Sequence, residues 1–249
     1  AAAAAGGPPG DLVGLLAHAV AQQAHSAKSQ DLVNTLWALA IMEGALQRYR
    51  PQVTQLVEEV NRRGPGGCNV DEHRQLWQVA GELAALPQPY TAVHPDLVRM
   101  ARLGMSEADH TYSRVQASFQ SLLEAMRGCG RFPELRELLY EQELVPGGEQ
   151  MRKIDVQAMI ERRTPDGSTA LHRVAVEFDG LFHFMVNEPY TSKIDGRTAL
   201  RNRILARHLG PENVVCVSMA EWVAASREPV EKGMPGRWRL MARKLGLQL

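Results

Sequence analysis

The chain has 249 residues, 45% of them hydrophobic, enough to bury the core of one large domain or two modest ones. Its 28 basic and 28 acidic residues balance overall, but residues 1–150 carry 12 basic and 17 acidic side chains while residues 151–249 carry 16 and 11. No apolar run approaches the roughly 20 residues that span a bilayer, and three scattered cysteines argue against a disulfide framework or a structural zinc site, so a reducing compartment is expected.

The start, "AAAAAGGPPG", is low-complexity and does not begin with Met; residues 1–10 are read as a tail left from a cleaved or longer precursor. No transit peptide is visible in it. Residues 11–145 read as helices with short breaks. Apolar residues recur at three- and four-residue spacing in "DLVGLLAHAVAQQA", "SQDLVNTLWALAIMEGAL", "RPQVTQLVEEVNRR" and "NVDEHRQLWQVAGELAAL". Further helices are expected over 106–128 and 133–142. "DLVNTLWALA" (31–40) and "DEHRQLWQVA" (71–80) match at an offset of 40 through Asp31/Asp71, Leu36/Leu76, Trp37/Trp77 and Ala40/Ala80. Such a period suggests stacked helix pairs, each burying its face on the next; an ordinary bundle with two similar helices is the alternative.

The pattern changes at "VPGGEQ" (145–150). "RKIDVQAMI" and "ALHRVAVEFDG" alternate like strands, with Pro165-Asp166-Gly167 as turn chemistry between them, so a hairpin is expected. A helix follows over 196–210, closed by Gly210 and Pro211. Next come a short strand, "VVCVS", a helix opened by a Ser218/Glu221 capping box, and a basic helix, "PGRWRLMARKLGL". The order gives an α+β chain with an α/β second domain of about 100 residues, 151–249.

Alternation places Glu177 and Asp179 on one face of their strand, opposite Val176 and Phe178. A turn centred on Asp166 sets Asp155 opposite Glu177, and His183 follows four residues after Asp179. Three converging carboxylates need protons, basic partners or a cation. In one reading Asp155, Glu177 and Asp179 hold Mg²⁺ or a similar hard cation, and His183 or an activated water serves hydrolysis. In the other, arginines neutralise the acids; Arg197, Arg201, Arg203, Arg152 and Lys153 are the candidates. The helices 196–210 and 236–247 carry Arg197, Arg201, Arg203, Arg207, Arg237, Arg239, Arg243 and Lys244 with Trp238 interleaved, a set suited to phosphates and unpaired bases. The bland alternative is a solvated helix face with Trp222 and Trp238 in the core.

These C-terminal segments resemble the RAP domain, a module found mostly in organellar RNA-metabolism proteins. The resemblance rests on "VAVEFDGLFHF", "GRTALRNRIL" and "VVCVSMAEW", and covers Asp179, Gly180, His183, Phe184, Gly196, Thr198, Leu200, Arg201, Arg203, Leu205 and Trp222. "VSMAEW" departs from a Pro-Tyr that often precedes the Glu-Trp. "SQDLVNTLWALA" is similar to a segment of octotricopeptide-repeat proteins of green algae and of FAST-kinase-like mitochondrial proteins. The resemblance implies RNA binding and a fold similar to restriction-endonuclease-like enzymes, in which carboxylates lie on a hairpin. A lysine usually follows the second acid of such enzymes after one residue; here Asp179 stands there.

The expectation is a non-enzymatic organellar RNA-binding protein, acting in transcript processing or stability or in an organellar ribosome, with rRNA or mRNA bound by the RAP domain and proteins by the helical repeats. It places the chain in a matrix or stroma, mitochondrial rather than chloroplast, with no membrane and no cofactor beyond Mg²⁺ should the acids hold it. The alternatives are a metal-dependent RNA endonuclease and a purely structural protein of a ribonucleoprotein assembly.

Overall fold

Several helices form where the apolar spacing places them, and some of their ends carry recognisable caps. The computed structural model describes residues 11–87, 90–106, 114–144, 153–185 and 193–248, and the chain divides into two compact units, 1–109 and 110–249. The tail 1–10, the break at 145–150 and Arg152 lie outside the described residues.

In the first unit α1 (Leu12–Gln22), α2 (Ser29–Ile41), α3 (Ala45–Arg48), α4 (Arg50–Arg63), α5 (Val70–Ala84) and α6 (Pro95–Ser106) enclose one core. Asp11 caps α1 by accepting from the Gly14 N–H, and Asn69 and Glu72 form a reciprocal capping box on α5. The expected helix 29–46 is interrupted: Met42 is extended and Gly44 takes a left-handed φ of 73°, so α2 and α3 are separate pieces. Leu36, Ala40 and Leu76 are buried and Ala80 is half-buried, as stacked repeats and an ordinary bundle both allow, and each fully buried leucine contributes about 1.5–3 kcal/mol. The two matching helices, α2 and α5, pack on each other, with the Trp37 indole N–H donating to Gln78 Oε1 at 2.7 Å.

The second unit is a mixed α+β layer structure. Its elements are α7 (Arg114–Gly128), β1 (Leu135–Glu143), β2 (Lys153–Arg163), β3 (Thr169–Asp179), α8 (Gly196–Leu209), β4 (Val214–Ser218), α9 (Met219–Arg227) and α10 (Gly236–Leu245). The strands form one sheet in the order β1-β2-β3-β4, antiparallel across the first two junctions and parallel across the last. The hairpin register is the expected one: Val156 pairs with Val176 and Ala158 with Val174. The turn that sets it is closed by Thr164 and Ser168 backbone bonds around Gly167, whose φ is 84°.

One element differs from expectation. The segment expected as a helix over 133–142 is strand β1, and it pairs along the edge of β2. A bulge between Leu135 and Glu137 puts an extra residue into β1, so Leu135 and Leu138, three apart, both reach the core. That odd spacing imitates helical periodicity in the sequence. Of the helix expected over 106–128, the described part is α7; residues 107–113 lie outside the description. Both α7 and β1 pack with the sheet, although the sequence groups them with the helical region.

The sheet is covered differently on its two faces. Val156, Val176, Phe178, Val215 and Val217 meet Phe119 and Leu123 of α7, Trp222 of α9 and Met241 of α10. Phe119, Phe178 and Trp222 form a tilted and edge-on trio with ring centroids 5.3–6.0 Å apart. The alternate residues Glu177, Asp179 and Cys216 face the other way, toward α8.

Candidate functional site

The site lies at the C-terminal ends of β3 and β4, where the chain leaves the sheet and enters α8. Asp195 caps α8 by accepting from the Thr198 N–H at 2.7 Å. This fixes the first turn of the helix and sets Arg201, one turn further on, over the acids. Glu177 and Asp179 are each 2% exposed and Arg201 is 8% exposed. The guanidinium spans both carboxylates: Nη1 is 3.2 Å from Glu177 Oε2 and Nη2 is 2.5 Å from Asp179 Oδ1. Its Nε donates to Asn202 Oδ1 at 3.0 Å. Burial opposes the charge on Arg201, but the Glu177 and Asp179 carboxylates outweigh it and drive its pKa upward.

Asp155 stands beside this pair. Its Oδ2 accepts from the Phe178 N–H at 3.0 Å, and its own N–H donates to Glu177 Oε1 at 3.4 Å. The two acids are thus placed as the hairpin register predicts. Burial raises the Asp155 pKa above the usual carboxylate range, against the Phe178 bond and the Arg201 charge.

His183 ends a one-turn helix, Leu181–His183, and its Nδ1 lies 3.1 Å from Thr198 Oγ1 and 3.4 Å from Asp179 Oδ1. Burial lowers its pKa below the usual imidazole value, and the Arg201 charge adds to the effect. Cys216, opposite Glu177 in the β3–β4 pairing, is pushed up to about 11 by burial and stays a thiol.

Arg201 engages one oxygen of Glu177 and one of Asp179, so a hard cation would share these acids with a guanidinium. The acids are thus paired to an arginine, the second of the two arrangements the sequence offered. Among the described residues no group of three or more His, Cys, Asp or Glu side chains is arranged to hold a metal ion.

The eight cations grouped from the sequence are not one surface. Arg201 is turned inward to the acids. The Arg237 guanidinium lies 4.4 Å over the Trp222 ring and its Nε donates to the Trp222 carbonyl. Arg239 bonds Glu228 at 2.8 Å and the Pro229 carbonyl at 2.9 Å. Lys244 bridges Glu221 and the Cys216 carbonyl at 2.7 and 2.9 Å. Arg197, Arg207 and Arg243 are exposed and Arg203 is half-buried. Trp222 is core, and Trp238 packs against Phe132 with ring centroids 6.2 Å apart. Because α8 and α10 pack on opposite faces of the sheet, Arg197 and Arg207 do not join Arg243 in a single basic patch.

Three residues of the site escaped the sequence reading of its chemistry: Thr198, Asn202 and Cys216. Thr198 left a signal only as a position of the resemblance, and Cys216 by its alternation with Val215 and Val217 in β4. Among the described residues no helix is long and apolar enough to cross a membrane. Compared with known proteins, the chain matches no protein-family model and no curated protein.

Proposed function

We propose that the chain is a non-enzymatic RNA-binding protein of organellar RNA metabolism, gripping RNA with its second unit and proteins with its helical unit. The observation that carries the non-enzymatic part is the Arg201 guanidinium spanning Glu177 and Asp179. The RNA part rests on the resemblance to RAP domains. Its signature residues Asp179, His183, Thr198 and Arg201 converge at the β3–α8 junction. There they act as a clamp that fixes the end of the strand to the start of the helix. Exposed Lys193 and Arg197 flank the clamp and supply the phosphate contacts. The helical unit, with 8 basic and 11 acidic residues, is a poor track for a polyanion and a better surface for proteins. Stacked repeats, in which α2 and α5 are equivalent helices of neighbouring pairs, fit that role. A mitochondrial matrix or a plastid stroma, and a transcript or a ribosomal RNA, are the settings in which RAP-like modules act.

Salt-dependent RNA binding tests this reading. Reversing Lys193 and Arg197 to Glu is expected to lower affinity for every RNA sequence and to flatten the salt dependence by about one unit of slope per lost phosphate contact. Binding with an unchanged slope would remove these residues from the interface.

A further inference from the structure

Phe182 is 96% exposed, more than any other large apolar side chain among the described residues, and Leu181 beside it is 52% exposed. A scattered apolar side chain at a surface is ordinary. Phe182 differs in how it is held and in what surrounds it.

Its backbone is fixed on both sides. Asp179, 2% exposed, precedes the turn and Phe184, 7% exposed, follows it. The turn is closed by the His183 N–H to the Gly180 carbonyl at 3.1 Å, and the next residue in the chain, Phe184, bridges to Ile194. The His183 ring is docked on Thr198, and the His183 carbonyl accepts from the Asp195 N–H at 2.8 Å. The ring of Phe182 is thus presented to solvent on a rigid platform. The facing segment carries the exposed Lys193, whose carbonyl accepts from the Met185 N–H at 3.0 Å, and the first turn of α8 carries the exposed Arg197.

We infer that Phe182 is a stacking platform for an unpaired nucleobase, with Lys193 and Arg197 receiving the flanking phosphates. This rests on the RNA-binding reading and adds the substrate class: single-stranded RNA, since a base inside a duplex cannot lay its face on the ring. With its backbone held in place, an aromatic side chain has only two torsions left to order on binding. It accepts any base, because every base has a π-face, so the platform confers affinity without sequence choice.

The experiment measures binding of the full chain to fluorescein-labelled single-stranded RNA of random sequence, and to the same RNA annealed to its complement. Phe182→Ala is expected to weaken single-strand binding about tenfold, at low and high salt alike, and to leave duplex binding and thermal stability unchanged. Phe182→Trp is expected to keep the affinity and to show quenched indole fluorescence on adding single-stranded RNA. If the wild-type chain binds RNA and Phe182→Ala binds it equally well, the platform is overturned while RNA binding stands, and Phe182 is left as a protein contact. If the wild-type chain binds neither RNA, the RNA-binding reading fails and the platform fails with it.

Discussion

Arg201 decides the character of the acid cluster. It offsets two carboxylates that are almost wholly removed from water, and removing one partner of such a pair leaves buried charge uncompensated. Arg201→Met is therefore expected to destabilise the chain by about 3–5 kcal/mol in urea unfolding, with Arg201→Lys in between, because one ammonium does not span both acids as a guanidinium does. His183 and Asp155 give the cluster opposite responses to pH. The fold disfavours the charged form of His183, so stability is full above the ordinary value of 6.5 and declines as pH falls below it, when the unfolded chain takes up the proton more readily. His183→Gln should flatten that acid-side decline. The fold instead holds a proton on Asp155 more tightly than the unfolded chain does, so the cost of ionising it is full at neutral pH and relieved in acid. Asp155→Asn keeps the acceptor for the Phe178 N–H. It should stabilise the chain at pH 7, with the gain fading as pH falls through the raised folded value and gone below the ordinary 3.8; thermal melts across pH check both variants. Glu177 and Asp179 were legible from strand alternation, Asp155 from the hairpin register and His183 from its place just past the strand, and Arg201 was one of five candidates. Thr198 and Asn202 were not legible as partners, because the distance between β3 and α8 is set by tertiary packing.

At the scale of elements, local chemistry decided which parts could be read ahead. The register of the β2–β3 hairpin was legible to the residue, because Pro165-Asp166-Gly167 supplies both the turn and its centre, while the strand ends were not. The Ser218/Glu221 capping box starts α9 as its spacing requires. Strand β1 was not legible. Its identity comes from the open edge of β2, whose backbone groups need partners, and the bulge scrambles its alternation. The helix pair α9–α10 shows a constraint of another kind. A Cβ on Gly236 would run into the Ala225 carbonyl oxygen and the Glu228 side chain, so α10 starts as close to α9 as a residue without a side chain allows. Gly236→Ala should cost about 1–3 kcal/mol through overpacking in chemical denaturation, although alanine is the better helix former. No loss of stability there would mean the two helices separate easily.

For the whole molecule, the structure redraws the charge division. The sequence break near 145 gives the C-terminal part a surplus of five positive charges. The compact unit 110–249 carries 20 basic and 17 acidic residues, because the acidic strand β1 belongs to it. A diffuse basic field therefore supports the proposed RNA binding less than a local patch does, and α8 and α10 on opposite sheet faces point the same way. The local patch is the β3–α8 junction: an arginine-neutralised clamp behind, Lys193, Arg197 and Phe182 in front. The central claim is that this junction binds RNA and does not cut it. The measurement that tests it most directly incubates the full chain with single-stranded RNA in Mg²⁺ or Mn²⁺ and follows both retention and length of the RNA. The account predicts RNA that is bound and intact, with the same result for Glu177→Gln. RNA fragments whose formation needs the metal and is abolished in Glu177→Gln would contradict it and make the cluster a catalytic centre.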